Sequence, residues 1–279
     1  MEHTTPSRTA QRVAIRRAAH QLLDDPKVFE DPLAIAIAGG ESEPPADAQK
    51  PYSRALRAFI AVRSRYAEDR LARAVERGVR QYVLLGAGLD TFAYRNPWRS
   101  AGLDVIEVDH PATQEWKRAR LNEAGIKIPE EMTFAAVNFE THALDARLQE
   151  VGFRRTSTAF FSWLGVTPYL SRPAFDATVE FVASLPSGSG VVFDYARERS
   201  LLSPLQQLAL DALAERVARA GEPFQLFFDP AVLRRDLERL GFRNIEDLDG
   251  DEINARYFAG RADGLAVSGG GHLLYARVS

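Results

Sequence analysis

The sequence predicts an α/β fold built on a mainly parallel, doubly wound sheet. Three observations lead there. Short apolar runs alternate with helical segments along most of the chain, the pattern of repeated βαβ units. The run Gln81-Tyr-Val-Leu-Leu85 breaks into Gly86-Ala87-Gly88, where residues without a Cβ let the backbone turn sharply and lie against a ligand. About twenty residues further on, a second apolar run, Val105-Ile-Glu-Val-Asp109, ends in carboxylates, where such folds put a ribose-binding acid.

The elements follow in order. Ser7 to Leu23 reads as a helix stopped by Asp24-Asp25-Pro26. Asp31-Pro32 starts a short helix that runs to Gly39-Gly40, and Glu41 to Pro51 is a polar loop, either a linker or part of a lid. Tyr52 to Arg77 is a long helix closed by Gly78, with an apolar stripe through Leu56, Phe59, Ile60, Tyr66, Ala67, Leu71, Ala74 and Val75. Arg63 and Arg70 fall inside that stripe, and Arg54, Arg57, Arg73 and Arg77 are expected in solvent. A guanidinium on a buried face needs an anion. For Arg63 this is either a protein carboxylate such as Glu68 or Asp69, or a ligand carboxylate.

Strand one, Gln81 to Leu85, leads through the glycine turn into a helix-like segment ending at Asn96-Pro97. Strand two runs Asp104 to Val108, a helix Ala112 to Ala124, strand three Thr133 to Val137, a helix Leu144 to Val151, and strand four Thr158 to Trp163. A helix over Arg172 to Leu185, strand five at Val191 to Asp194, an amphipathic helix over Leu201 to Ala220 and a helix from Asp229-Pro230 to Leu240 follow. Phe242 to Leu248 and His272 to Val278 read as final strands with no crossover helix between them, so a last strand entering antiparallel is expected.

Composition narrows the function. A chain of 279 residues, 46% hydrophobic and 26% charged, can bury a large core. The formal charge of −3 gives no basic footprint for nucleic acid, and no run is apolar enough to span a membrane. The polar start, Met1-Glu-His-Thr-Thr-Pro-Ser-Arg8, is unlike a signal peptide, so a cytoplasmic protein is expected. With no cysteine, thiolate metal sites and cysteine nucleophiles are excluded. His3, His20, His110, His142 and His272 lack metal-binding spacing and are read as surface or cap residues, and no metal is expected.

The pocket chemistry selects among adenosine-bearing cofactors. The dinucleotide fingerprint wants a third glycine where Thr91 stands, and Asp90 beside it would repel a diphosphate. The same carboxylate would attract the ammonium or sulfonium of S-adenosylmethionine (SAM). Asp109 is placed either to accept from ribose hydroxyls or to cap the helix that follows His110-Pro111, and Glu107 points the same way in the pleat. Asn138 after strand three offers its amide to an adenine edge, or serves as a turn residue.

Five stretches carry a family likeness: Phe29-Glu-Asp-Pro-Leu33; Val62-Arg-Ser-Arg-Tyr66 with Asp69; Val83-Leu-Leu-Gly-Ala-Gly-Leu-Asp-Thr91 with Tyr94-Arg95; Glu107-Val-Asp-His-Pro111 with Lys117; and Gly165 to Leu170. Over Arg8 to Leu248 the chain resembles the leucine carboxyl methyltransferase-like family of class I SAM methyltransferases, which includes bacterial enzymes that methylate carboxyl or hydroxyl groups of natural products. The resemblance implies a seven-stranded Rossmann-like sheet with its last strand antiparallel, in one domain over residues 1–279. Residues 7–78 would form a helical lid on an α/β core over 79–279, with a second lid element at 200–225. It implies that Arg63 holds the SAM carboxylate, that Gly86, Ala87 and Gly88 lie along the methionine part, that Asp109 binds ribose, and that Asn138 and Phe139 flank adenine. Leu164 departs from the pattern, because many members carry Glu there, and Asp90 is then the candidate ammonium partner.

These readings predict a SAM-dependent O-methyltransferase acting on a carboxylate or acidic hydroxyl of a small molecule, with S-adenosylhomocysteine (SAH) as the second product. A carboxylate needs no general base, whereas an alcohol usually does; His110 sits beside the ribose end of the expected pocket and no other histidine is placed in it. Tyr169, Arg95 and Arg199 are candidate substrate contacts, each with a structural role as the alternative. An NAD-type oxidoreductase on a similar sheet and a non-catalytic SAM-binding protein are the competing functions.

Overall fold

Gln81–Leu85 forms a strand, β1, in which all five residues are buried, as befits a run covered on both faces. It belongs to a seven-stranded sheet in the computed structural model, which describes residues 7–40, 46–140 and 144–279. The other strands are β2 (Asp104–Asp109), β3 (Met132–Ala136), β4 (Phe160–Trp163), β5 (Gly190–Ala196), β6 (Phe242–Leu248) and β7 (Gly271–Val278). Their order is β3-β2-β1-β4-β5-β7-β6. The first five run parallel, and β7 lies antiparallel between β5 and β6. The chain winds outward from β1 to β3, then returns to the other side of β1 with β4. The carboxyl ends of β1 and β4 therefore flank a topological switch point, the crevice where open α/β sheets bind ligands.

Helices cover both faces. They are α1 (Arg8–Leu23), α2 (Ala34–Ala38), α3 (Pro51–Glu76), α4 (Pro111–Glu123), α5 (Leu144–Glu150), α6 (Arg172–Ala183), α7 (Pro204–Ala218), α8 (Pro230–Arg239) and α9 (Gly250–Tyr257). Strand alternation splits the core. Val83 and Leu85 face Phe161, Trp163, Phe175 and Val179, while Tyr82 and Leu84 face Tyr66, Leu71 and Val75 of α3. Each such side chain contributes about 1.5–3 kcal/mol on burial. The second half of α3 thus belongs to the core, and its first half runs out beneath α1.

Four expectations are corrected. The segment after the glycine turn is one 3-10 turn, Phe92–Tyr94, because the Asp90 carboxylate takes the Phe92 N–H at 2.8 Å and Pro97 follows too soon for a helix. A helix, α9, does lie between the last two strands; Asp249 and Glu252 form its capping box. Arg57 is buried, not solvated, and forks onto Asp24 with two 2.8 Å bonds. His20 and His272 are buried beside Asp24 and Asp247, and His110 caps α4. His3, His142 and the first part of the predicted loop, 41–45, lie outside the described residues. Among the described residues no helix is long and apolar enough to cross a membrane.

Candidate functional site

A cavity of about 550 Å³ opens at the carboxyl ends of β1 and β4, within the usual size of small-molecule sites. Its floor is the turn after β1. Gly86 has φ +65, and a Cβ there would sit 2.3 Å from Val166 Cγ2, so only glycine lets the two loops pass. Both Gly86 and Ala87 donate their N–H groups to the Val108 carbonyl, which ties the turn to the end of β2. That end carries Asp109, whose Oδ2 accepts the Gly88 N–H at 2.6 Å while Oδ1 accepts the His110 N–H at 2.7 Å. Burial raises the Asp109 carboxyl against the pull of these two donors. His110, rather than Asp109, takes the capping role, its ring accepting from the Ala112 N–H.

The cavity also gathers Arg63, Ala87, Asp90, Asn138, Phe139 and Leu164. Asn138 Oδ1 accepts the Glu140 N–H at 3.1 Å, and Phe139 packs at a tilt on Trp163. Asp90 is held 3.0 Å from Arg17; burial would raise its carboxyl, but Arg17 and then Arg95 bring it below the ordinary range. Arg63 leans on Gly165, where a Cβ would stand 2.6 Å from Nη1. Its Nη1 lies 3.1 Å from Asp194 Oδ2, and Asp194 Oδ1 accepts the Gly165 N–H. The partner of Arg63 is therefore neither Glu68 nor Asp69, which pair with Arg95 and Arg65.

Three sequence candidates lie elsewhere. Glu107 is turned away from the cavity into a buried pair with Lys117 at 2.6 Å; burial pushes its carboxyl up to about 7 against the pull of that ammonium. Arg95 is spent on Glu68 and lies over the rings of Phe29 and Phe92. Arg199 forms an exposed pair with Asp211 at 2.8 Å. Tyr169 does line the cavity, where burial raises its hydroxyl to about 12 despite the Thr9 hydroxyl nearby.

A second cavity of about 200 Å³ adjoins the first, and the two share Thr9, Val13, Arg63, Gly165 and Tyr169 in their walls. Leu56, Phe59, Ile60, Leu202, Leu210 and Leu213 give it an apolar lining. Above the junction the Thr9 N–H donates to Glu222 Oε2 at 3.0 Å, so α1 and the stretch after α7 meet over the opening. Asp194 is the residue that sequence reasoning missed. Its signal was the acid ending the apolar run Val191-Val192-Phe193-Asp194, at the same sheet edge as Asp109. It sets a carboxylate beside Gly165 although Leu164 supplies none.

Comparisons with known proteins bear on the family and the fold. The leucine carboxyl methyltransferase family model matches residues 10–183. YktD of Bacillus subtilis, described as an S-adenosyl-L-methionine-dependent methyltransferase, is 37% identical over 216 residues, covering 77% of this chain and 70% of its own. A protein of the same description from Mycobacteroides abscessus is 34% identical over 208 residues, covering 72% and 68%. Among solved structures, a DUF574 family protein from Streptomyces avermitilis has a TM-score of 0.58 at 20% identity, covering 88% of this chain and 95% of that one. A protein from Thermobifida fusca described as a methyltransferase has a TM-score of 0.58 at 18% identity, covering 100% and 97%. These last two likenesses are of fold.

Proposed function

The chain belongs to the leucine carboxyl methyltransferase family and is a SAM-dependent methyltransferase, and from that premise we propose that it esterifies a carboxylate of a small molecule. The observation that carries this reading is the second cavity. It meets the first at Arg63 and Tyr169, is apolar through its middle, and has Asp194 as the one carboxylate among its described lining residues, already paired with Arg63. No histidine is among those described lining residues. The engagement of that one carboxylate by Arg63 leaves, among the described lining residues, no free base of the usual kind for an alcohol, whereas a carboxylate asks for no base.

The larger cavity fits the cofactor by size and donor set. In this reading Arg63 takes the cofactor carboxylate, Gly86 and Gly88 pass close beneath its methionine part, and Asp90, shared with Arg17, faces the ammonium. Asp109 accepts from the ribose hydroxyls; each of its oxygens already accepts one backbone N–H, which fixes the carboxylate plane. Asn138 and Phe139 take the adenine. When bound, SAM supplies a methyl group on a sulfonium, and its displacement by a carboxylate oxygen leaves the neutral thioether SAH, with no proton to move. The protein's share is alignment and dryness. Thr9 with Glu222 closes the junction from above, and residues of α1 and of 200–225 act as the lid.

Transfer from radiolabelled SAM to a panel of carboxylic acids and matched phenols tests the reading. Label should enter an ester that mild alkali releases as methanol. Alkali-stable label in an ether, or label in phenols alone, would overturn it.

A further inference from the structure

The far end of the second cavity is unlike its middle. Along α1 the wall residues run Thr9, Arg12, Val13, Arg16, and along α3 they run Arg63, Ile60, Phe59, Leu56, Tyr52. Thr9 and Arg63 also line the cofactor cavity, whereas Arg12 and Arg16 also line a third cavity of about 270 Å³ on the opposite side. With a rise of about 1.5 Å per residue, Thr9 to Arg16 spans roughly 10 Å and Arg63 to Tyr52 roughly 16 Å. The second cavity is thus a passage with the cofactor at one end and a basic cluster at the other.

That cluster is Arg12, Arg16 and Arg216, the last lying over the Tyr52 ring at 5.2 Å. Among the described residues none of the three has a carboxylate within 4 Å, although most other arginines of the interior do. Arg12 Nη1 and Tyr52 Oη are buried without a hydrogen-bond partner. The one bond from Arg16 goes to the Arg12 carbonyl at 3.2 Å. Asp47, the acid lining the third cavity, spends an oxygen on the Ser53 hydroxyl at 3.2 Å. Burial and the neighbouring Arg216 and Arg12 depress the Arg16 guanidinium, with Tyr52 and Asp47 opposing. Three cations collected in a half-buried pocket with no carboxylate in contact repel one another and lose hydration, a cost that the more distant Asp47 only partly offsets and that a bound anion relieves.

We propose that the acceptor carries a second oxyanion, seated among Arg12, Arg16, Arg216 and Tyr52, at the far end of an apolar body whose near carboxylate takes the methyl group. The substrate class is a long-chain or rigid diacid, and the product is its half-ester. The proposal rests on the carboxylate reading above. Its geometry also sets regiochemistry: the acid in the arginine seat lies roughly 10 Å or more from the cofactor junction and escapes methylation.

Calorimetry on the SAH-saturated protein tests the seat without turnover, using sebacate, its ω-phosphonate counterpart and decanoate. At least one dianion should bind about tenfold or more tightly than decanoate, and the tighter dianion identifies the group that fits the seat. Arg16→Gln should erase the difference while leaving SAH affinity unchanged, and Arg16→Lys should restore part of it. Arg216→Gln, on a separate helix, gives the same test if the first variant does not fold. Equal binding of dianion and monoanion, no binding of either, or a preference that survives both glutamine variants would overturn the proposal. The two readings separate cleanly. Selective binding of sebacate without ester formation sinks the carboxylate chemistry and keeps the seat. Esterification of decanoate as efficient as that of sebacate sinks the seat and keeps the chemistry.

Discussion

Arg63 has two claims on it, and substitution separates them. Arg63→Ala should weaken SAM binding roughly tenfold or more, because a charge-assisted fork to a carboxylate is lost. It should also lower the melting temperature, since Asp194 is left buried without its cation. A lower melting temperature with unchanged SAM affinity by calorimetry would reduce Arg63 to a partner of Asp194. Glu107→Gln should behave in the opposite way. It strands the Lys117 ammonium in the interior, at a cost of about 3–5 kcal/mol in chemical denaturation, and leaves SAM affinity unchanged per folded molecule. The sequence showed that Glu107 shares a pleat direction with Asp109, but not that Lys117 on the following helix reaches back to it. Asp109 was legible because a strand-tip acid after a glycine turn has few other uses. Asp194 was not, because its partner is 131 residues away and no local spacing encodes that distance.

At the scale of elements, α1 and α3 are joined through the residue that ends α1. Asp24 accepts from Arg57 on one side and faces His20 Nδ1 at 2.7 Å on the other. Burial would raise its carboxyl, but the bonds from Arg57 and His20 bring it from 3.8 down to about 2. A folded pKa below the unfolded one stabilises the protein above the unfolded value and is lost as pH falls. Stability should therefore hold above about pH 4 and decline towards about pH 2 through this group, and Asp24→Asn should flatten that limb in acid denaturation. An unchanged acid limb would mean that other carboxylates govern it. The helices themselves were legible from stripes and caps. The stripe on α3 could not say that Arg57, set outside it, would be drawn inward, because the attraction comes from a turn 33 residues earlier. For α9 the signal was present in Asp249 and Glu252, but the surrounding Gly and Asp of 249–271 masked a helix of eight residues.

For the whole molecule, a ligand that binds only the folded form raises stability by about 2.7 kcal/mol at a hundredfold excess over Kd. In a chain of this size that is a rise of roughly 5 °C or more in melting temperature. SAM and SAH should both produce it and NAD should not; equal shifts with NAD would undo the cofactor selectivity ascribed to Asp90-Thr91. The parallel run of the first five strands followed from their alternation with helices; the antiparallel entry of β7 was also expected, although the absence of a helix that suggested it did not hold, since α9 stands between β6 and β7. The adjoining cavity was not legible, because its walls come from α1, α3, α7 and the glycines before β7, which meet only in three dimensions.

One guanidinium stands in the wall between the two cavities. Thermodynamic reciprocity then makes the molecule an accountant of both occupants: whatever factor the bound cofactor applies to acceptor affinity, the acceptor applies to cofactor affinity. On the proposed reading that factor arises at the Arg63–Asp194 pair, since a carboxylate on either side would meet the same two charges.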